Sequence, residues 1–168
     1  MPRLPEPSQS TADPRELLLA YLEYYRDTAM HKVDGLSEAE MVNGRLRSGW
    51  TPLELLNHLA FMERRWLQWG FAGQVVQDPR GDEDPTSGRW RVGAGQDVFS
   101  ALRQVGVATR AVVTDASLTD LAHTGGRWSE DDDRPTLGWI MLHVLQEYAR
   151  HVGHLDIVRE VIDGSVGE

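Results

Sequence analysis

The run His143-Val-Leu-Gln-Glu147-Tyr-Ala-Arg-His151-Val-Gly-His154 brings three imidazoles and a carboxylate close together in one stretch of chain. On a helix turning about 100° per residue, Ile140, His143, Val144, Glu147, His151, His154, Val158 and Val161 fall within a sector of roughly 100°. This stripe is apolar at both ends and polar in the middle, so the polar residues sit on the face expected to be buried. A buried carboxylate beside imidazoles is costly unless something satisfies it, and a divalent cation satisfies all of them at once. Metal binding is the chemistry this spacing suggests.

Zinc and related ions accept imidazole and carboxylate ligands, and three protein ligands with one open position mark a catalytic site. Residues three or four apart on a helix can share one ion, so Glu147 with His151 and His151 with His154 are both possible pairs. His151 belongs to both. His143 and His154 are separated by about 16 Å of helical rise, too far to share an ion. A third ligand must come from elsewhere, and His58 is the other histidine expected on an inward helical face. Its alternative is a core histidine bonded to a carbonyl or to Glu147, which could also pair with Arg150 or Arg65. His143 and His154 are expected to border the site or face a substrate, and His31 and His123 to lie at the surface.

Four long helices position these residues. The first starts at Asp13-Pro14-Arg15-Glu16, which offers an N-cap, a proline at the first helical position and a reciprocal Glu; it runs to about His31 and is closed by Gly35. Ser37-Glu-Ala-Glu40 predicts a short helix. A capping box at Thr51-Pro52-Leu53-Glu54 opens the second long helix, with Leu55, His58, Leu59, Met62, Trp66 and Trp69 in helical spacing to about Gly70. The third spans about Gln96 to Asp115, and the fourth Thr136 to Asp163, ending at Gly164. The long 73–95 connection suggests a crossover or a lid. Its acidic run at 78–84, like that at 130–133, reads as a solvated loop. Trp66, Trp69 and Trp139 read as core, whereas Trp50, Trp90 and Trp128 lie in loops, where they can shape a pocket. The pattern predicts an all-α, four-helix bundle, with a loose leader over 1–12 and a single domain over 13–168.

Composition narrows the function. The 168 residues carry 17 Lys and Arg against 26 Asp and Glu, a net charge of -9. That balance disfavours a nucleic-acid partner. No apolar run is long enough to span a bilayer and the N-terminus lacks a signal core, so no membrane partner and a cytoplasmic location are expected. There is no cysteine. Any thiol nucleophile must therefore arrive with a substrate.

Two segments together resemble a known family: Trp50-Thr-Pro-Leu-Glu-Leu-Leu-Asn-His58-Leu-Ala, and some 80 residues later His143-x3-Glu147-x3-His151-x-Gly-His154 with its long amphipathic tail. In their order and distance they resemble the DinB-like superfamily, within it the branch that contains the mycothiol-dependent maleylpyruvate isomerases. The resemblance implies an up-down-down-up four-helix bundle with long crossover loops, a homodimer, and a divalent metal, zinc or nickel, on His58, Glu147 and His151. Many DinB-like proteins have histidine where Glu147 stands; the isomerase branch has glutamate there. The implied activity is a low-molecular-weight-thiol-dependent S-transferase or isomerase acting on a small electrophile, with mycothiol or bacillithiol as the type of thiol. His154 would orient a ligand or move a proton, and Arg150 or Arg65 would meet a carboxylate. Metal-dependent hydrolysis and a non-enzymatic metal- or ligand-binding bundle are the alternatives.

Overall fold

The computed structural model describes residues 4–167. Residues 1–3 of the expected leader, and residue 168, lie outside them. The described chain is helical and contains no strand, only isolated bridges in its loops.

Helix α1 (Pro14–Val33) is capped by the Asp13 side chain, which accepts from the Arg15 N–H. Glu16 does not complete a reciprocal cap; it lies exposed, 3.5 Å from the Arg15 guanidinium. The short α2 (Glu38–Met41) and α3 (Pro52–Arg64) each open on a complete capping box, Ser37 with Glu40 and Thr51 with Glu54, as their sequences predict. The second long helix does not stay α-helical to Gly70. From Arg65 to Phe71 it widens into a π-helical segment, the kind of local departure that often accompanies a functional site. Helix α4 (Val98–Thr114) starts at Asp97, and α5 (Leu137–Asp163) runs from Thr136 to Gly164, whose φ of 76° suits a glycine helix stop.

Helix α1 packs chiefly on α5, and α3 on α4, with α1–α4 and α3–α5 contacts between the two pairs. Leu22, Leu55, Leu56, Leu59, Leu102, Leu137, Ile140, Met141 and Val144 are fully buried where these faces meet. Of the α5 stripe, Ile140, Val144, His151 and Val158 are buried, but Val161 is 56% exposed. Buried Arg159 ties α5 to the end of α1, donating to the carbonyls of Lys32 and Asp34 (3.0 and 2.7 Å), so its charge meets acceptors left open by the helix end. Among the described residues no helix is long and apolar enough to cross a membrane.

Candidate metal centre

His58 on α3 and Glu147 and His151 on α5 converge as the helical spacing requires. One ligand atom from each lies within 4.8 Å of the others. Glu147 and His151 are one turn apart, with Oε2 and Nε2 separated by 3.4 Å. His58 is brought to them by the packing of α3 on α5.

The orientation of His58 is set by a residue that sequence reasoning missed. Its Nδ1 lies 2.9 Å from Oδ2 of Asp82, a carboxylate with no exposed surface. The Nδ1–H donates to Asp82, which leaves the Nε2 lone pair for another partner. Arg65, itself buried, donates to the other Asp82 oxygen and to the Pro79 carbonyl. Burial pushes the Asp82 carboxyl up, but the bonds from His58 and Arg65 outweigh it and hold the group below the usual carboxylate range.

Two expectations are corrected here. The acidic run 78–84 is not wholly solvated, and Arg65 pairs with Asp82 and not with Glu147. Nothing in the local pattern separates Asp82 from Asp78 or Asp84. What selects it is the return of the loop on itself: the Arg91 N–H donates to the Asp82 carbonyl (2.8 Å), Glu83 bridges Trp90, and buried Asn57 holds the Arg91 carbonyl at 2.7 Å.

That return also places Trp90. Its ring stacks on His58, with centroids 4.2 Å apart and planes 17° apart, and meets His151 edge-on at 5.3 Å. Trp50 stands 6.3 Å from Trp90 and 6.1 Å from His154. The loop tryptophans therefore wall the centre, as loop aromatics can. Trp66 is half-buried against the core, but Trp139 is not the core residue its spacing suggests. Trp139 is 52% exposed, and both rings pack on His143, which stacks on Trp139 at 5.2 Å.

His154 stands beside the three converging residues, its Nδ1 3.4 Å from Nδ1 of His151. Were an ion to take the Nε2 lone pair of His151, its Nδ1–H would be left to donate to His154. Burial lowers the His151 pKa to about 3, reinforced by the neighbouring His58, His154 and Arg150. His151 is thus neutral at pH 7, as a ligating imidazole must be. His143, one turn from Glu147, is also pushed down by burial, opposed by Glu147 and reinforced by Arg127. Arg150 is exposed on α5. His123 is exposed in its loop, and His31 is half-buried on α1 in a cavity of about 260 Å³ bordered by Tyr21 and Ala149, so neither belongs to the centre.

Two neutral imidazoles and a carboxylate form a donor set that suits a divalent ion such as zinc or nickel, and the fixed His58 tautomer and unprotonated His151 are what such an ion requires. The residues present fit a metal. No curated protein matches the chain. A model of one family does, described as mycothiol-S-transferase and covering residues 17–164, in keeping with the likeness to DinB-like proteins near the mycothiol enzymes. With nearly its whole length matched, the chain belongs to the mycothiol-S-transferase family.

Proposed function

We propose that the protein is a thiol-dependent S-transferase or isomerase that holds a divalent metal, zinc or nickel, on His58, Glu147 and His151. The observation that carries the reading is the convergence of these three donors within 4.8 Å in a chain of this family. The reading includes a single domain over 13–168, folded as an up-down-down-up four-helix bundle with long crossover loops, a homodimer, and a cytoplasmic location.

When bound, the ion supplies Lewis acidity that turns a small thiol such as mycothiol into a thiolate at neutral pH. The absence of cysteine means that the sulfur comes from that co-substrate. The chain's own residues do the rest. Asp82 fixes the His58 tautomer, and the charge of Arg65 on its far oxygen keeps Asp82 ionised while it does so. Trp90 covers the His58 ring and limits water on that side. His154, beside His151, would orient a ligand or move a proton, and exposed Arg150 would meet an anionic group at the rim.

The test is consumption of a small electrophile by metal-loaded protein with and without added thiol, beside elemental analysis of the untagged protein. Turnover that requires both thiol and metal is expected. Turnover without thiol would replace this reading with metal-dependent hydrolysis, and one equivalent of metal with neither activity would replace it with a binding protein.

A further inference from the structure

Arg127 lies in the loop between α4 and α5, on a backbone that the π-helical segment holds in place. The Arg127 N–H donates to the Trp69 carbonyl (3.0 Å) and the His123 N–H to that of Phe71 (2.8 Å). The approach is close enough that a Cβ on the neighbouring Gly126 would fall 2.1 Å from the Trp69 oxygen, so glycine is required there. Held in this way, the guanidinium sits over Trp66 at 4.0 Å and over Trp128 at 4.8 Å. Trp66 touches His143 (4.4 Å), which stacks on the half-exposed Trp139. His143 precedes Glu147 by one helical turn, about 6 Å of rise. The cluster therefore borders the metal centre at the end opposite Trp50, Trp90 and His154.

Among the described residues Arg127 forms no ion pair and its side chain donates no hydrogen bond, whereas neighbouring Arg65 has Asp82 and Arg80 has Glu83. The charges that reach it are those of Arg80 and Arg65, which join burial in lowering its pKa. An arginine stays charged under such pressure. A half-buried cation among like charges, in a chain of net charge -9, is left with an interaction that a ligand can complete.

We infer that Arg127 anchors the carboxylate of a small planar organic acid, whose body lies along Trp66, His143 and Trp139 with its other end toward Glu147. Planar bidentate pairing is what a preoriented guanidinium does best, and the aromatic rings select a flat body. In naming a substrate class for the metal centre this rests on the thiol-transferase reading; as a binding site it stands by itself.

Benzoate and its uncharged counterpart benzamide test the site. Each is titrated into the full chain without thiol, reading tryptophan fluorescence and heat, for the wild type, Arg127→Met, Arg127→Lys and the remote control Arg110→Met. Benzoate is expected to bind about ten-fold or more tighter than benzamide, as charge-assisted hydrogen bonds require. Arg127→Met should remove that preference, Arg127→Lys keep part of it, and Arg110→Met leave it whole. Equal binding of the two probes, no binding of benzoate, or full benzoate affinity in Arg127→Met would overturn the assignment. Should Arg127→Met not fold, the comparison of probes on the wild type and on Arg127→Lys decides. Benzoate bound through Arg127 without any thiol-dependent turnover would keep this site and remove the transferase reading. Where turnover is found, a higher KM in Arg127→Lys for a carboxylated electrophile, but not for a neutral one, assigns the carboxylate to the electrophile; a higher KM for the thiol assigns it to the thiol.

Discussion

Nδ1 of His58 and Oδ2 of Asp82 are 2.9 Å apart, and they join a helix to a loop 24 residues downstream. The carboxylate is fully buried, and its other oxygen is held by Arg65. The loop therefore fixes the donor that α3 would contribute to the proposed metal centre. Asp82→Asn keeps the size but removes the charge. Partners of this kind are worth roughly 10- to 100-fold in metal affinity, so Asp82→Asn is expected to lose about that much in a chelator competition assay. Unchanged affinity would reduce Asp82 to a loop anchor.

Metal stoichiometry should follow the three converging side chains. His58→Ala and His151→Ala are each expected to abolish stoichiometric binding, and Glu147→Gln to weaken it, because each removes one of three donors. His31→Ala, on the α1 side of the molecule, should bind as the wild type does. Elemental analysis after dialysis decides; full occupancy in either of the first two variants would move the site elsewhere.

These two predictions differ in how far the sequence announced them. His58, Glu147 and His151 are legible because helical periodicity places each on an inward face, and the capping boxes at Thr51 and the helix stop at Gly164 fix the helices that carry them. Asp82 is not legible, since a buried acid in an acidic loop is marked only by the tertiary partners His58 and Arg65. Trp139 fails for a related reason: its helical spacing on α5 suggests core, but the ring lies half-exposed on His143 and Trp66, a tertiary arrangement that the local pattern does not mark. The tie from buried Arg26 to Glu63 is likewise invisible, because its partners are 37 residues apart on different helices.

Protonation of His151 gives the metal-free protein a pH-dependent stability. Its pKa is about 3 in the folded chain against 6.5 for an unperturbed imidazole. Between those values the unfolded chain binds a proton that the native state does not, so native stability is fully present above 6.5 and declines as pH falls toward 3. Chelated wild-type protein should melt at progressively lower temperature from pH 7 to pH 4, and His151→Asn should flatten part of that slope. An identical slope in the variant would show that other groups set it.

A buried ion pair away from the proposed metal centre joins three helices. Arg26 of α1 donates to Glu63 of α3 at 2.6 Å, and the Tyr148 hydroxyl of α5 donates to the same carboxylate, also at 2.6 Å. Glu63 and Tyr148 have no exposed surface and Arg26 only 5%. Helix α4 accommodates the pair through Gly106, where a Cβ would fall 2.6 Å from the Arg26 guanidinium. Glu63→Ala strands a buried cation and a buried hydroxyl, and breaking such a pair costs about 3–5 kcal/mol. In a chain of this size that lowers Tm by roughly 10 °C. Replacing all three groups, as Arg26→Met, Glu63→Leu and Tyr148→Phe, removes the stranded charge and should recover most of the loss, since well-packed apolar side chains often match a buried ion pair in stability. Urea denaturation of the single and triple variants measures both. A loss below about 1 kcal/mol in Glu63→Ala would mean that water reaches Arg26 and that the pair does not join α1, α3 and α5 energetically.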